Sequence, residues 1–531
     1  MKKLIFLSLV IILAVSLILV GCAEPTKEPT PTPAPSPAPA PAPAPEKPAP
    51  APAPEKPAPA PEPEGPVYGG VLRQLASSGP MCLGYLPEMG PGDEIAVMPG
   101  VERMMEYTNA DKQIRPLLAE SVDIDVDNKT ITFNIRKGVK FHDGSDLNAE
   151  VAVFNYNIYW EVGRLQFSPK ILSIEVVDEY TMVIKLNEYN NQFIDGLGWV
   201  PIYSKVAWDK AAGGDFEKGK EFARANCIGT GPFILKEYKR DDRIIWEKNP
   251  DYWQEGKPYL DGIEVRIIPD AVTAKAIMEA GEADMWGGVP IRDQVDLLEK
   301  DFVRQSGFGT PGIIYIDNKS PDSRFKDKRL REAVEYALDK EAIAKALGLG
   351  YFTPLTMVAP PGEWGFDPDY PGRPYNPDKA KELIAEAGYP DGLKVKMLIL
   401  QGAASQDAGT ALKSYLDEVG MEIELDVADP GRFFGSIWLN GWDDLAVFLT
   451  GMDFERPQEL IDMCNQAYQA FDEASQKEWA KKLVRYMADE CLVVPTYLTP
   501  SSYIIQPYVH TTYLQEMMVA RKTCDEWMDP H

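Results

Sequence analysis

Between residues 25 and 66 the chain carries 19 of its 47 prolines. Proline fixes φ and lacks a backbone N–H, so neither a helix nor a sheet can run through this tract. The nonapeptide APAPEKPAP occurs twice in succession, at 42–50 and 51–59. A segment of this kind is a polyproline II spacer, able to reach on the order of 130 Å at about 3.1 Å per residue. Any folded body must begin after it. Residues 67–531 leave 465 positions, too many for one ordinary core and enough for two or three domains.

Ahead of the tract, Lys2 and Lys3 precede an apolar run from Leu4 to Val20, broken only by Ser8 and Ser16. A charged start, an apolar middle and a small-residue exit predict a secretory signal over 1–21. At 17 residues the run also sits at the short limit for a transmembrane helix. The exit separates the two readings. Leu19-Val20-Gly21-Cys22 resembles the lipobox of bacterial lipoproteins, which implies cleavage before Cys22 and a diacylglyceryl group on its thiol. Residues 22–66 are then an anchored tether, and two or three acyl chains make the attachment firm where one does not.

Lys and Arg number 54 against 81 Asp and Glu, a net charge of −27. Loss of Lys2 and Lys3 with the signal gives 52 minus 81, or −29. Such a surface repels nucleic acid and anionic lipid head groups. Beyond Cys22 five cysteines remain, Cys82, Cys227, Cys464, Cys491 and Cys524, so an exported chain keeps at least one unpaired.

Several motifs approach chemistry and miss it. GDFEKGKE at 214–221 has the spacing of a phosphate loop but carries Glu221 where a hydroxyl must hold magnesium; it reads as a polar surface turn. DIDVDNKTITFN at 123–134 starts like a calcium loop, yet lacks the glycine at position six and ends in Asn134 instead of Glu. Its period-two alternation predicts a β-hairpin with the acids on the solvent face. His142, His510 and His531 have no second ligand at metal spacing. No cofactor and no catalytic role are expected.

Strand-like and helix-like segments alternate through the rest, which predicts an α/β fold. Leu330, Val334, Ala337 and Leu338 share a helical face, and Asp339 suits the N-cap of a helix ending near Gly348. Pro377 opens a helix that Gly388 stops. Strands are predicted over 394–400 and 492–498. Between them, a helix over 477–489 is expected to bury Trp479, Leu483, Tyr486 and Met487.

Together these segments resemble the oligopeptide/dipeptide-binding family of extracytoplasmic solute receptors of ABC importers, solute-binding family 5. The resemblance is carried in order by YGGVLRQ (68–74), RPLLAES (115–121), FNIRKGVKFHDGSDLNAEVAVFNY (133–156), GTGPF (229–233), KNPDYWQEGKPYLDGIEVRIIPD (248–270) and GEAD (281–284). RFKDKRLREAVEYALDKEAIAKAL (324–347), YNPDKAKELIAEAGYPDG (375–392) and DEWMD (525–529) complete it. It implies a type II periplasmic-binding-protein fold: two α/β lobes joined by two hinge crossings, with the ligand cleft between them. Lobe I is expected over 67–268, with an extra subdomain, returning over 495–531; lobe II is expected over 269–494, with crossings near Ile268 and Pro495. The resemblance further implies a monomeric receptor, lipid-anchored outside the cell, that passes a small peptide-like solute to an ABC permease.

Peptide binders of this family hold the ligand's α-amino group with an aspartate in a GWxxDYxxP-like segment. LTGMDFERP at 449–457 offers Asp453 and Phe454 in that register, with Thr450 at the tryptophan position and Arg456 where an acid is common. Trp438 and Trp442, near Phe433 and Phe434, are further candidates for the cleft wall, with core packing the alternative for each. An oligosaccharide is the second solute reading. A lipid-anchored hydrolase would need a nucleophile or metal constellation, and the sequence offers none.

Overall fold

The computed structural model describes residues 65–530, apart from 89–93, 109–112, 166–169, 307–308, 438–440, 449–455, 501 and 512–520. The signal, Cys22 and the tether lie outside the described residues. So do Trp438, Asp453 and Phe454.

Two large sheets organise the molecule. The first has seven strands, in the spatial order Phe233–Lys239, Arg243–Lys248, Gly262–Ile267, Val71–Ala76, Met285–Gly287, Ser502–Ile505 and Val303–Ser306. Its centre is parallel: Val71–Ala76 pairs in register with Gly262–Ile267 on one side and with Met285–Trp286 on the other. The second has six, in the order Thr353–Pro354, Val493–Thr499, Thr310–Ile316, Leu445–Phe448, Leu393–Leu400 and Met421–Ala428. Its last three strands run parallel to one another. Alternation along Leu393–Leu400 splits its two faces. Leu393, Val395, Met397 and Ile399 enter the main core with Leu330, Val334, Leu412 and Leu416, while Leu398 packs opposite with Phe433 and Ile437.

A separate four-stranded antiparallel sheet, Ala119–Asp125, Thr130–Ile135, Thr181–Leu186 and Ile171–Asp178, is covered by the helix Ala149–Glu161. The hairpin expected over 123–134 is its first turn, with Asp123 opposite Thr132 and Asp125 opposite Thr130.

Local signals explain the second body's helices. Asp327, Asp339 and Asn376 each cap a helix by accepting from a backbone N–H two or three residues on. Gly388, at φ 101°, supplies the left-handed residue just beyond the helix Pro377–Glu386.

Three expectations are corrected. The chain does not change sheets near Ile268. From there it forms the helix Ala271–Glu279 and returns to add Met285–Gly287 and Val303–Ser306 to the first sheet. The changes of sheet fall between the strands ending at Ser306 and starting at Thr310 and between those ending at Thr499 and starting at Ser502, and Pro495 lies inside a second-sheet strand opposite Ile313. Secondly, the helix Glu473–Asp489 has no fully buried residue; Trp479, Leu483, Tyr486 and Met487 are half-buried. It is tied down at its end, where Arg373 donates to the carbonyls of Ala488 and Asp489, each at 2.8 Å. Thirdly, 214–221 is not a turn. Asp215 caps the helix Phe216–Ala225, and Gly219 lies against Trp208, where a Cβ would stand 2.6 Å from the indole. As an odd count requires, unpaired thiols remain: none of Cys82, Cys227, Cys464, Cys491 and Cys524 is in a disulfide, and four of them are buried.

Candidate functional site

Both sheets aim the same ends at the two crossings. In the first, the parallel strands finish at Ala76, Ile267 and Gly287, and Gly287 lies opposite Tyr503, one residue inside the start of Ser502–Ile505. In the second, the parallel strands finish at Leu400, Ala428 and Phe448, and Thr310 pairs with Thr499 beside them. The carboxyl ends of parallel strands are where α/β sheets leave a crevice for ligands. Two such ends meeting across two short crossings define one cleft. The two bodies also touch where the guanidinium of Arg304 in the first sits 3.9 Å over the ring of Tyr351 in the second.

The second body's cleft end is aromatic. Phe433, Phe434 and Phe448 form a mutual cluster with ring centroids 5.3–5.7 Å apart. Phe433 is fully buried and belongs to the core, while Phe434 and Phe448 are half-buried. Phe448 leads directly into 449–455, the segment holding Asp453 and Phe454, which is outside the described residues. Trp442 is half-buried against the same cluster, and its buried indole N–H meets no hydrogen-bond partner among the described residues. Beside it opens a polar recess of about 170 Å³, lined by Lys396, Asp426, Ser436 and Asp443. Two ion pairs occupy this wall: Lys396 with Asp443 at 2.9 Å, and Arg432 with Asp426 at 2.7 Å. Arg456 is exposed, just ahead of the helix Gln458–Tyr468; its charge opposes the upward push that burial gives the Cys464 thiol.

One buried group was not signalled by its own surroundings in the sequence. Glu102 is 7% exposed and accepts three hydrogen bonds: from Tyr252 Oη at 2.7 Å, Trp253 Nε1 at 2.9 Å and Thr230 Oγ1 at 2.9 Å. Burial pushes its carboxyl up to about 7 against the pull of those donors. Thr230 belongs to GTGPF, and Tyr252 and Trp253 to KNPDYW, so two of the segments that carry the resemblance converge on this one carboxylate. The glycines of GTGPF serve the same junction. A Cβ on Gly229 would stand 2.1 Å from the Gly100 carbonyl oxygen, so only glycine lets the two backbones approach. A cavity of about 80 Å³ adjoins, lined by Arg103, Trp199, Lys522 and Cys524 among others.

Among the described residues no group of three or more His, Cys, Asp or Glu is placed to hold a metal ion, and no helix is long and apolar enough to cross a membrane.

Known proteins share both the sequence and the architecture. The chain is 33% identical to heme-binding protein A of Haemophilus influenzae over 329 residues, 56% of this chain and 58% of that protein. It is 31% identical to the glutathione-binding protein GsiB of Salmonella choleraesuis over 357 residues, 64% of this chain and 67% of that protein. The fold matches a periplasmic binding protein of Helicobacter pylori, DppA, solved in complex with the peptide STSA. That match has a TM-score of 0.76 at 21% identity, over 87% of this chain and 99% of that one. The architecture is therefore that of type II periplasmic binding proteins, two lobes with a cleft between them. Residues 113–472 match the middle region of bacterial extracellular solute-binding proteins, family 5. With more than half its length in that match, the chain belongs to family 5 of the bacterial extracellular solute-binding proteins.

Proposed function

We propose that this protein is a membrane-tethered receptor that captures a peptide-like solute outside the cell and delivers it to an ABC permease. The observation that carries the reading is the meeting of two sets of parallel-strand carboxyl ends at two short crossings, within a family of solute receptors. Lobe I comprises 67–306 and 502–531, and lobe II comprises 310–499. Cys22 carries the lipid, and the Pro/Ala tract keeps the receptor near its permease at raised effective concentration while leaving it free to turn.

The peptide-like reading is supported by two of the similar proteins, one named for glutathione, a tripeptide, and a structural neighbour solved with a tetrapeptide, while another relative is named for heme. Asp453 receives the solute's ammonium group, with Phe454, Trp438, Trp442 and Arg456 around it. A free α-amino group is cationic below roughly pH 7.7–8.0, and enclosing it without a counter-charge is costly. Removing one partner of a desolvated charge pair costs about 2–5 kcal/mol. Asp453→Asn should therefore weaken binding by roughly thirty-fold or more, at about 1.4 kcal/mol per decade. Calorimetry of the full chain with glutathione and with a tetrapeptide is the test. Binding by wild type that the variant leaves untouched removes Asp453 from the site.

A further inference from the structure

Far along the chain from either crossing, the two lobes touch through a pair of loops. Residues 189–192 follow the last strand of the four-stranded sheet in lobe I. Residues 467–471 link the helices Gln458–Tyr468 and Glu473–Asp489 in lobe II. The Asn191 backbone N–H donates to the Tyr468 carbonyl at 3.0 Å. Its side-chain Nδ2 donates to the Ala467 carbonyl at 2.9 Å and to the Ala470 carbonyl at 2.7 Å. In return Gln469 Nε2 donates to the Tyr189 carbonyl at 3.2 Å. The rings of Tyr189 and Phe471 lie 5.5 Å apart.

The chemistry of this contact is that of a helix cap supplied by the opposite lobe. The last four carbonyls of an α-helix have no partner within it and carry the negative end of its dipole. Asn191 brings donors to two of them, at Tyr468 and at Ala467, which also accepts from the Ala470 backbone N–H at 3.1 Å, and to the carbonyl of Ala470, which also accepts from Gln476 Nε2 at 3.1 Å. Its loop is set in advance: Asn190 Oδ1 accepts from the Gln192 backbone N–H at 2.9 Å, and Tyr189 stacks on Phe193 within the lobe I core. A rigid donor therefore faces a rigid set of acceptors.

We propose that these loops form a latch that holds the lobes together, with Asn191 as its central positioning residue. This rests on the hinged-receptor reading above. Every contact in the latch is between protein groups, so it weights the closed arrangement by the same factor whether or not a solute is enclosed. The latch sets how long the cleft stays shut, separately from what the cleft recognises.

The test uses the full chain without added solute, so its outcome is separate from whether the solute class is right. Nitroxide labels are placed at exposed Glu150 in lobe I and exposed Lys481 in lobe II through a non-canonical amino acid, leaving the native thiols untouched. Pulsed electron resonance then gives the distribution of interlobe distances. Wild type should show a short-distance population. Asn191→Asp keeps the shape but sets a carboxylate against the carbonyls, and should move the short-to-long ratio by about tenfold or more toward long. Gln469→Ala should move it the same way by a smaller factor, and serves if the first variant folds poorly. A wild type with no short population, or distances identical in wild type and both variants, overturns the latch.

Discussion

Replacing Glu102 by Gln should change the stability of this protein by an amount that depends on pH, and the dependence has a definite sign. Glu102 is buried and its carboxyl is pushed up to about 7, from an ordinary value of 4.5. Below about pH 4.5 the carboxyl is protonated in both folded and unfolded chains, and its contribution is fully present. Between about 4.5 and 7 the folded protein keeps a proton that the unfolded chain releases, so stability falls as pH rises. A difference of about 2.5 units at about 1.36 kcal/mol each makes the loss about 3 kcal/mol by pH 8. The Gln variant has no such titration. Its amide oxygen still accepts from two of the three donors held by Thr230, Tyr252 and Trp253, while its NH₂ meets the third. A buried donor left unpaired costs about 1–3 kcal/mol. The variant should therefore be less stable than wild type by about 1–3 kcal/mol at pH 4.5, and should draw level with it or overtake it by pH 8. Urea unfolding followed by tryptophan fluorescence at both pH values measures this. The difference between the two proteins is the quantity to follow, because surface carboxylates held low by cations, such as Glu88 beside Arg224, titrate the other way and cancel in it. A difference that stays constant across the range refutes the argument.

In lobe II, Arg373→Met should cost about 1–3 kcal/mol, because Glu335, only 2% exposed, loses a partner at 2.9 Å while keeping Lys340 at 2.8 Å, and the carbonyls of Ala488 and Asp489 lose their donor; an unchanged urea midpoint would speak against this. At the other end of the chain, Cys22→Ser should leave the precursor uncut at this site and without lipid. Metabolic labelling with a fatty-acid analogue reads this directly, and equal label in wild type and variant rules out the anchor.

Much of the fold was legible because its signals are local. Asp339 and Pro377 announce helix starts by residue type, Gly388 announces a stop, and the alternation from Asp123 to Asn134 reads as a two-sided hairpin. The changes of sheet were not legible. Ile268-Pro269-Asp270 reads as a strand end followed by a helix cap, whichever sheet receives the next strand. The helix Glu473–Asp489 carries a convincing apolar stripe, but periodicity fixes only which face points inward, not how deep it sinks. The partners of Glu102 lie 128 to 151 residues away along the chain, and Asn191 meets carbonyls 276 to 279 residues away. Only the tertiary structure brings such groups together. For the cleft, the topology was implied by the resemblance, while the order of the strands that frame it came from the structure.

The most direct test of the account is native mass spectrometry of the full chain, purified gently in detergent from its own membrane. A receptor of this kind should carry one solute per chain in part of the population. That solute should be released on unfolding, fragment as a peptide or peptide-like amine, and be lost from Asp453→Asn. Recovery of a sugar, or of any solute without a cationic amine, would contradict the peptide reading. An unliganded chain that also takes up none of a broad mixture of small peptides would contradict the receptor itself.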